Sequence, residues 1–228
     1  MNKTEAECKK VLEELRKNAD PKAVAGMARF GINPNKTLGA SIPVLRKMAK
    51  EIGKNHALAD ELWNSGIHEA RILASMVDEP KKVSEKQMNE WAGEFDSWDV
   101  CDQVCMNLFS KTNFAYSKAM EWSKSETEFV KRAAFALIAC LAWQDKKMGD
   151  KDFENLLSLI KKASLDERNF VKKAVNWALR QIGKRNKNLN KKAIACAKEI
   201  QKMDSKAAKW IAADALKELE SEAVRKRL

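Results

Sequence analysis

Histidine is nearly absent from this chain of 228 residues. Only His56 and His68 are present, so a His-based metal site or an imidazole-activated nucleophile is hard to assemble, and each is expected as a surface or capping residue. The five cysteines form no CxxC pair: Cys101 and Cys105 lie four apart, while Cys8, Cys140 and Cys196 stand alone. Such a set suits small buried hydrophobes in a reducing compartment and argues against a disulfide framework or a zinc site. No uncharged apolar run approaches a membrane span, and the N-terminal MNKTEAECKKVLEEL lacks an apolar h-region. A cytoplasmic protein with no membrane contact and no cofactor is expected. Alternating β-branched runs are missing too, and there is one tyrosine.

Helix signals fill the space that strand signals leave. Thr4 with Glu7 and Ser84 with Gln87 read as capping boxes, Asp20-Pro21 and Ser41 as helix starts, and Gly53 and Gly66 as stops. About a dozen or more helices are expected, with the longest loop near Phe30 to Ala40. Apolar residues make up 45% of the chain, enough core for one helical-repeat domain over residues 1–228.

Charge is unevenly placed. Residues 1–128 carry 19 basic and 20 acidic side chains, residues 129–228 carry 24 and 12, and the whole chain is +11. A positive field on one half concentrates a polyanion, although a basic chain is also simply soluble. The segment DERNFVKKAVNWALRQIGK, residues 167–185, sharpens the choice. Val171, Ala174, Val175, Ala178, Leu179 and Ile182 form its core stripe. At about 100° per residue Trp177 falls on the opposite face with Lys173, Arg180 and Lys184. Cations that track phosphates beside a ring that meets a base or sugar are suited to nucleic acid.

FVKRAAFALIA (129–139) and FVKKAVNWALR (170–180) align without gaps at a spacing of 41, and KWIAADALKEL (209–219) is a weaker third copy. That period belongs to helix-pair repeats of the HEAT or armadillo kind, which stack into a solenoid with a concave surface. The expected fold is therefore all-α, a C-shaped solenoid with a basic concave groove. Arg132 takes the place of Lys173 in the preceding copy and lies away from the stripe Val130, Ala134, Leu137, Ile138 and Leu141, so it is expected to face the same groove.

One further helix carries a candidate for chemistry. Ser97 reads as the cap of WDVCDQVCMNLF, whose apolar side is Val100, Cys101, Val104, Cys105 and Leu108. Trp98 and Asp102 sit four apart at the edge of that side. Two readings stand for this pair. Trp98 is a core knob and Asp102 an ion-pair partner, or the two are an indole and a carboxylate placed for function.

The segments SWDVCD (97–102), FVKRAAFALIA and FVKKAVNWALRQIGK (170–184) resemble the HEAT-like-repeat alkylpurine DNA glycosylases of the AlkD type. The resemblance implies that Trp98 and Asp102 supply one aromatic wall and the catalytic carboxylate. It makes Trp177 the second wall, followed by Arg180, and Arg132 a contact to the DNA backbone; Lys173 and Lys184, on the Trp177 face by helical phase, are the further DNA contacts expected. It implies hydrolysis of the N-glycosidic bond of cationic N3- or N7-alkylpurines in duplex DNA by a monomer. A non-catalytic nucleic-acid-binding solenoid and a protein-interaction scaffold are the rival readings.

Overall fold

The computed structural model describes residues 2–228, and all regular structure among them is helical. The chain divides into two compact units, Met1–Asn113 and Phe114–Leu228. The first contains α1 (Lys3–Lys17), α2 (Pro21–Arg29), α3 (Ile42–Ile52), α4 (His56–Asn64), α5 (His68–Val77), α6 (Glu85–Gly93) and α7 (Trp98–Asn107), followed by a 3₁₀ turn at Phe109–Lys111. The second contains α8 (Ala115–Trp122), α9 (Glu128–Gln144), α10 (Asp150–Ala163), α11 (Asn169–Gly183), α12 (Lys187–Gln201), α13 (Lys206–Leu219) and α14 (Glu222–Arg227). The all-α helical-repeat reading holds. The boundary also parts the charge: residues 1–113 carry 17 basic and 17 acidic side chains, residues 114–228 carry 26 and 15. The positive excess therefore belongs to one structural unit.

In the first unit α5 packs on α3, α4 and α7, and α1 packs on α4. An aromatic cluster fills the space beside them. Trp63 of α4 and Trp91 of α6 stack with ring centroids 4.1 Å apart and planes 2° from parallel, and Phe95 meets Trp63 edge-on at 6.0 Å. The Arg71 guanidinium of α5 lies 4.8 Å over the Trp63 ring, so its charge rests on the indole. Helix starts fall near the expected places, with differences in chemistry. Asn2 and Glu5, two residues before the expected pair, make the capping box of α1. Asp20 caps α2 through its carboxylate, and Pro21 occupies the first turn where no amide is needed. Ser84 accepts from the Gln87 amide, whereas the Gln87 side chain donates to Asp78 at 2.8 Å instead of returning to the cap.

The second unit is the repeat array. α11 packs against α9 on one side and α13 on the other, while α10 and α12 pack behind them. Burial of α9 runs without a break from Arg132 to Ala142, because a helix covered on every side has no face left for polar residues. At the spacing of 41, Ala133, Ala134, Leu137, Ile138 and Leu141 of α9 and Ala174, Val175, Ala178, Leu179 and Ile182 of α11 are all buried. Phe129 and Phe170, also equivalent, meet with centroids 5.5 Å apart. The third copy is displaced from its sequence alignment. Val171, Ala174, Val175, Ala178 and Ile182 correspond in burial to Ala208, Ile211, Ala212, Ala215 and Leu219, an offset of 37 residues. Arg185 joins the repeats from the end of α11 by donating to the carbonyls of Ala142 at 2.9 Å and Met148 at 2.8 Å, which satisfies one acceptor left open at the end of α9 and one in the loop that follows it.

Candidate functional site

The start of α7 is built from the loop between α2 and α3. Ser97 precedes the helix, but its hydroxyl does not cap it. That hydroxyl is buried and accepts the Asn33 amide at 2.9 Å. Asn33 also donates through Nδ2 to Asp96 at 2.7 Å. The Trp98 indole N–H donates to the Phe30 carbonyl at 3.1 Å, so three successive residues, 96, 97 and 98, grip one loop. The loop is held from below by Glu69, a buried carboxylate that accepts the amides of Leu38 at 2.8 Å and Gly39 at 2.6 Å. Gly39 is obligatory there: its φ is +86°, and a Cβ would collide with the Asp20 carbonyl.

Trp98 and Asp102 are both half-buried on adjacent turns of α7, while Val100, Cys101, Val104, Cys105 and Leu108 are buried. The expected facial division of this helix is therefore observed. The indole is fixed by its bond to Phe30, and the carboxylate lies one turn further along.

His68 corrects the expectation of a surface imidazole. It is buried, and Nε2 lies 2.9 Å from Asp99 Oδ2. Burial works to lower its pKa, yet the Asp99 hydrogen bond and the charges of Asp99, Glu69 and Asp96 outweigh it, so the value lies above the ordinary one. His56 opens α4 half-buried, with Nδ1 2.6 Å from the fully buried Asp78. Both histidines are structural partners of carboxylates in this arrangement.

On α11, Trp177 is half-buried and Lys173 is exposed. The other two cations of that face are engaged. Arg180 Nη1 lies 2.8 Å from Glu218 Oε2 and 3.6 Å from Asp214, and Lys184 Nζ lies 2.7 Å from Glu218 Oε1. The α11 and α13 faces meet in regular rungs: Lys172 over the Trp210 ring at 5.1 Å, Asn176 Nδ2 to Asp214 at 2.6 Å, and Arg180 to Glu218. Burial pushes the Glu218 pKa up, but the Lys184 and Arg180 contacts prevail and hold it below the usual range. Glu218 and Trp210 did not stand out in the sequence, because their significance depends on the register of the third repeat.

Arg132 corrects a second expectation. It is 5% exposed instead of facing an open groove, and Nη1 donates to the Phe170 carbonyl at 2.6 Å. Its place in α9, buried on all sides, leaves the guanidinium to satisfy a backbone acceptor at the start of the next repeat. Of the expected DNA-binding cations, Lys173 alone is exposed; Arg180 and Lys184 are half-buried.

The model of a family described as DNA alkylation repair enzyme matches residues 11–219. An uncharacterized protein of Listeria innocua serovar 6a, Lin0241, is 26% identical over 168 residues, covering 72% of this chain and 73% of that protein. A solved structure of a protein related to the HEAT-like repeat DNA glycosylases, with affinity for branched DNA structures, superposes with a TM-score of 0.80 at 24% identity, covering 96% of this chain and 95% of the other. At that identity the structural likeness bears on the fold.

Proposed function

Because the chain belongs to the DNA alkylation repair enzyme family, we propose that it hydrolyses the N-glycosidic bond of cationic N3- or N7-alkylpurines in duplex DNA. The observation that carries this reading is the pair on α7, a half-buried carboxylate one turn beyond an indole whose N–H is anchored to the chain. An alkylated purine already carries a formal positive charge and departs as a neutral base, so no general acid is required. What remains is to stabilise the oxocarbenium-like sugar and to deliver water to C1′. Asp102 opposes the developing positive charge and accepts a proton from the attacking water, as carboxylates do at glycosidic centres. Trp98 offers a π face to the cationic sugar, an attraction of about 0.5 to 2 kcal/mol. Trp177 supplies a second aromatic surface, and Lys173, Arg180 and Lys184 meet phosphates. Arg132 acts from beneath, by fixing the start of α11 through Phe170.

DNA binding without excision is the second reading. It is favoured by the description of the solved relative, whose stated property is affinity for branched DNA. Incubation with duplex carrying N7-methylguanine, followed by chromatography of the released base, separates the two. Release at a rate above spontaneous loss supports excision. Retained, salt-sensitive binding with no release supports the second reading.

A further inference from the structure

A cleft of about 380 Å³ opens in the second unit where α9 ends. Trp143, in the last turn of α9, is 45% exposed although the eleven residues from Arg132 to Ala142 before it are buried. Lys146, Lys184, Arg185, Asn186 and Arg227 line the cleft with it, and none of its lining residues is Asp or Glu. Lys184 shares its charge with Glu218. Lys146, Arg185 and Arg227 make no ion pair among the described residues, although the Arg185 charge acts on nearby Asp150. Lys146 donates to the Trp143 carbonyl at 2.8 Å. Arg185 is fixed by its two carbonyl bonds and by the Phe153 ring 4.6 Å beneath it. The cations are thus partly preorganised around an open indole.

We infer that this cleft is a second nucleic-acid site, which stacks an unstacked nucleotide of a DNA strand on Trp143 and neutralises its phosphates with Lys146, Arg185 and Arg227. Base pairs inside a duplex present no free π face, whereas a single-stranded nucleotide presents one whatever its sequence. The volume lies in the range of small-ligand pockets, enough for about one nucleotide. The inference rests on the reading of the chain as a DNA-binding repair protein, but not on base excision.

The test compares the full chain on a blunt duplex, on the same duplex with a short single-stranded overhang, and with a free mononucleotide. The parent is expected to bind the overhang duplex about ten-fold more tightly than the blunt one, the scale of stacking one or two bases. Trp143→Ala should bring the two within about two-fold and leave blunt-duplex affinity and base release unchanged, while Trp143→Phe restores part of the preference. Arg227→Ala, an exposed change that spares the fold, should lower the overhang preference and its salt dependence. Equal binding of both duplexes by the parent, an undiminished preference in Trp143→Ala, or a free mononucleotide bound as tightly as the overhang would each overturn the inference. An overhang preference without base release would sink the excision reading alone.

Discussion

The indole N–H of Trp98 donates to the backbone carbonyl of Phe30, 68 residues earlier in the chain. The bond ties the first residue of α7 to the end of α2 and makes the placement of one side chain depend on a loop. Trp98→Phe keeps an aromatic ring, smaller than the indole, and removes the donor. It should cost about 1 kcal/mol, the usual worth of one hydrogen bond, and raise amide exchange in residues 30–41. Trp98→Ala should lower the melting temperature more than Trp177→Ala, which has no such tether to lose. Equal losses in the two alanine variants, read by thermal denaturation, would contradict this.

Asp102→Asn keeps the shape of the side chain and removes the charge. Base release in single turnover should fall by about two or more orders of magnitude, the effect of losing one strong transition-state contact, while affinity for the modified duplex stays nearly constant. Full activity in this variant would exclude the proposed role even if the protein excises bases.

The cations of α11 should not behave alike. Lys173→Ala should reduce the slope of log affinity against log salt by about one unit, one phosphate contact. Arg180→Ala and Lys184→Ala should do less, since Glu218 already holds both. Glu218→Gln should release them and tighten binding at low salt. Arg132→Ala should show chiefly as lost stability, because it removes the buried guanidinium and its bond to the Phe170 carbonyl at the start of α11.

His68 has a folded pKa raised above 6.5, so its protonated form favours the native state. Its contribution is complete below the unfolded value and is lost as pH rises through the folded one. With only two histidines in the chain, heteronuclear NMR of the parent and of His56→Gln resolves the His68 titration directly. Asp99→Asn should move it down.

Asp166 works in the opposite sense. Its carboxylate, 2.6 Å from Arg168 and 3.1 Å from Lys131, has its pKa lowered to about 2 by the Arg168 hydrogen bond ahead of the Lys131 contact, against the cost of burial. The stability it confers is present above the ordinary 3.8 and disappears as pH falls toward 2. Asp166→Asn should lower the melting temperature at neutral pH and make little difference near pH 2, as followed by circular dichroism.

The helical class, the repeat from α9 to α11 and the facial split of α7 were legible because each rests on a short local period. The fate of Arg132 was not. Helical phase places it opposite an apolar stripe, but whether that opposite face meets water depends on what packs there, and α9 is enclosed on all sides. The same limit hid Glu218, which meets Arg180 and Lys184 only when the third repeat is shifted to its packed register. Glu69 was hidden for another reason. A lone carboxylate in an apolar helix start carries no pattern until the loop whose amides it binds is folded against it.

The thiols bear on the chemical surroundings of a DNA alkylation repair enzyme. Four of the five cysteines are buried, and burial pushes the fifth, Cys196, up to about 11 and moves Cys8 upward as well. Only the thiolate is a strong nucleophile, and a thiol at that value is ionised at neutral pH to about one part in ten thousand. The electrophiles that methylate purines therefore find little accessible thiolate on this protein to react with. Its cysteines should emerge from methyl methanesulfonate treatment largely unmodified by mass.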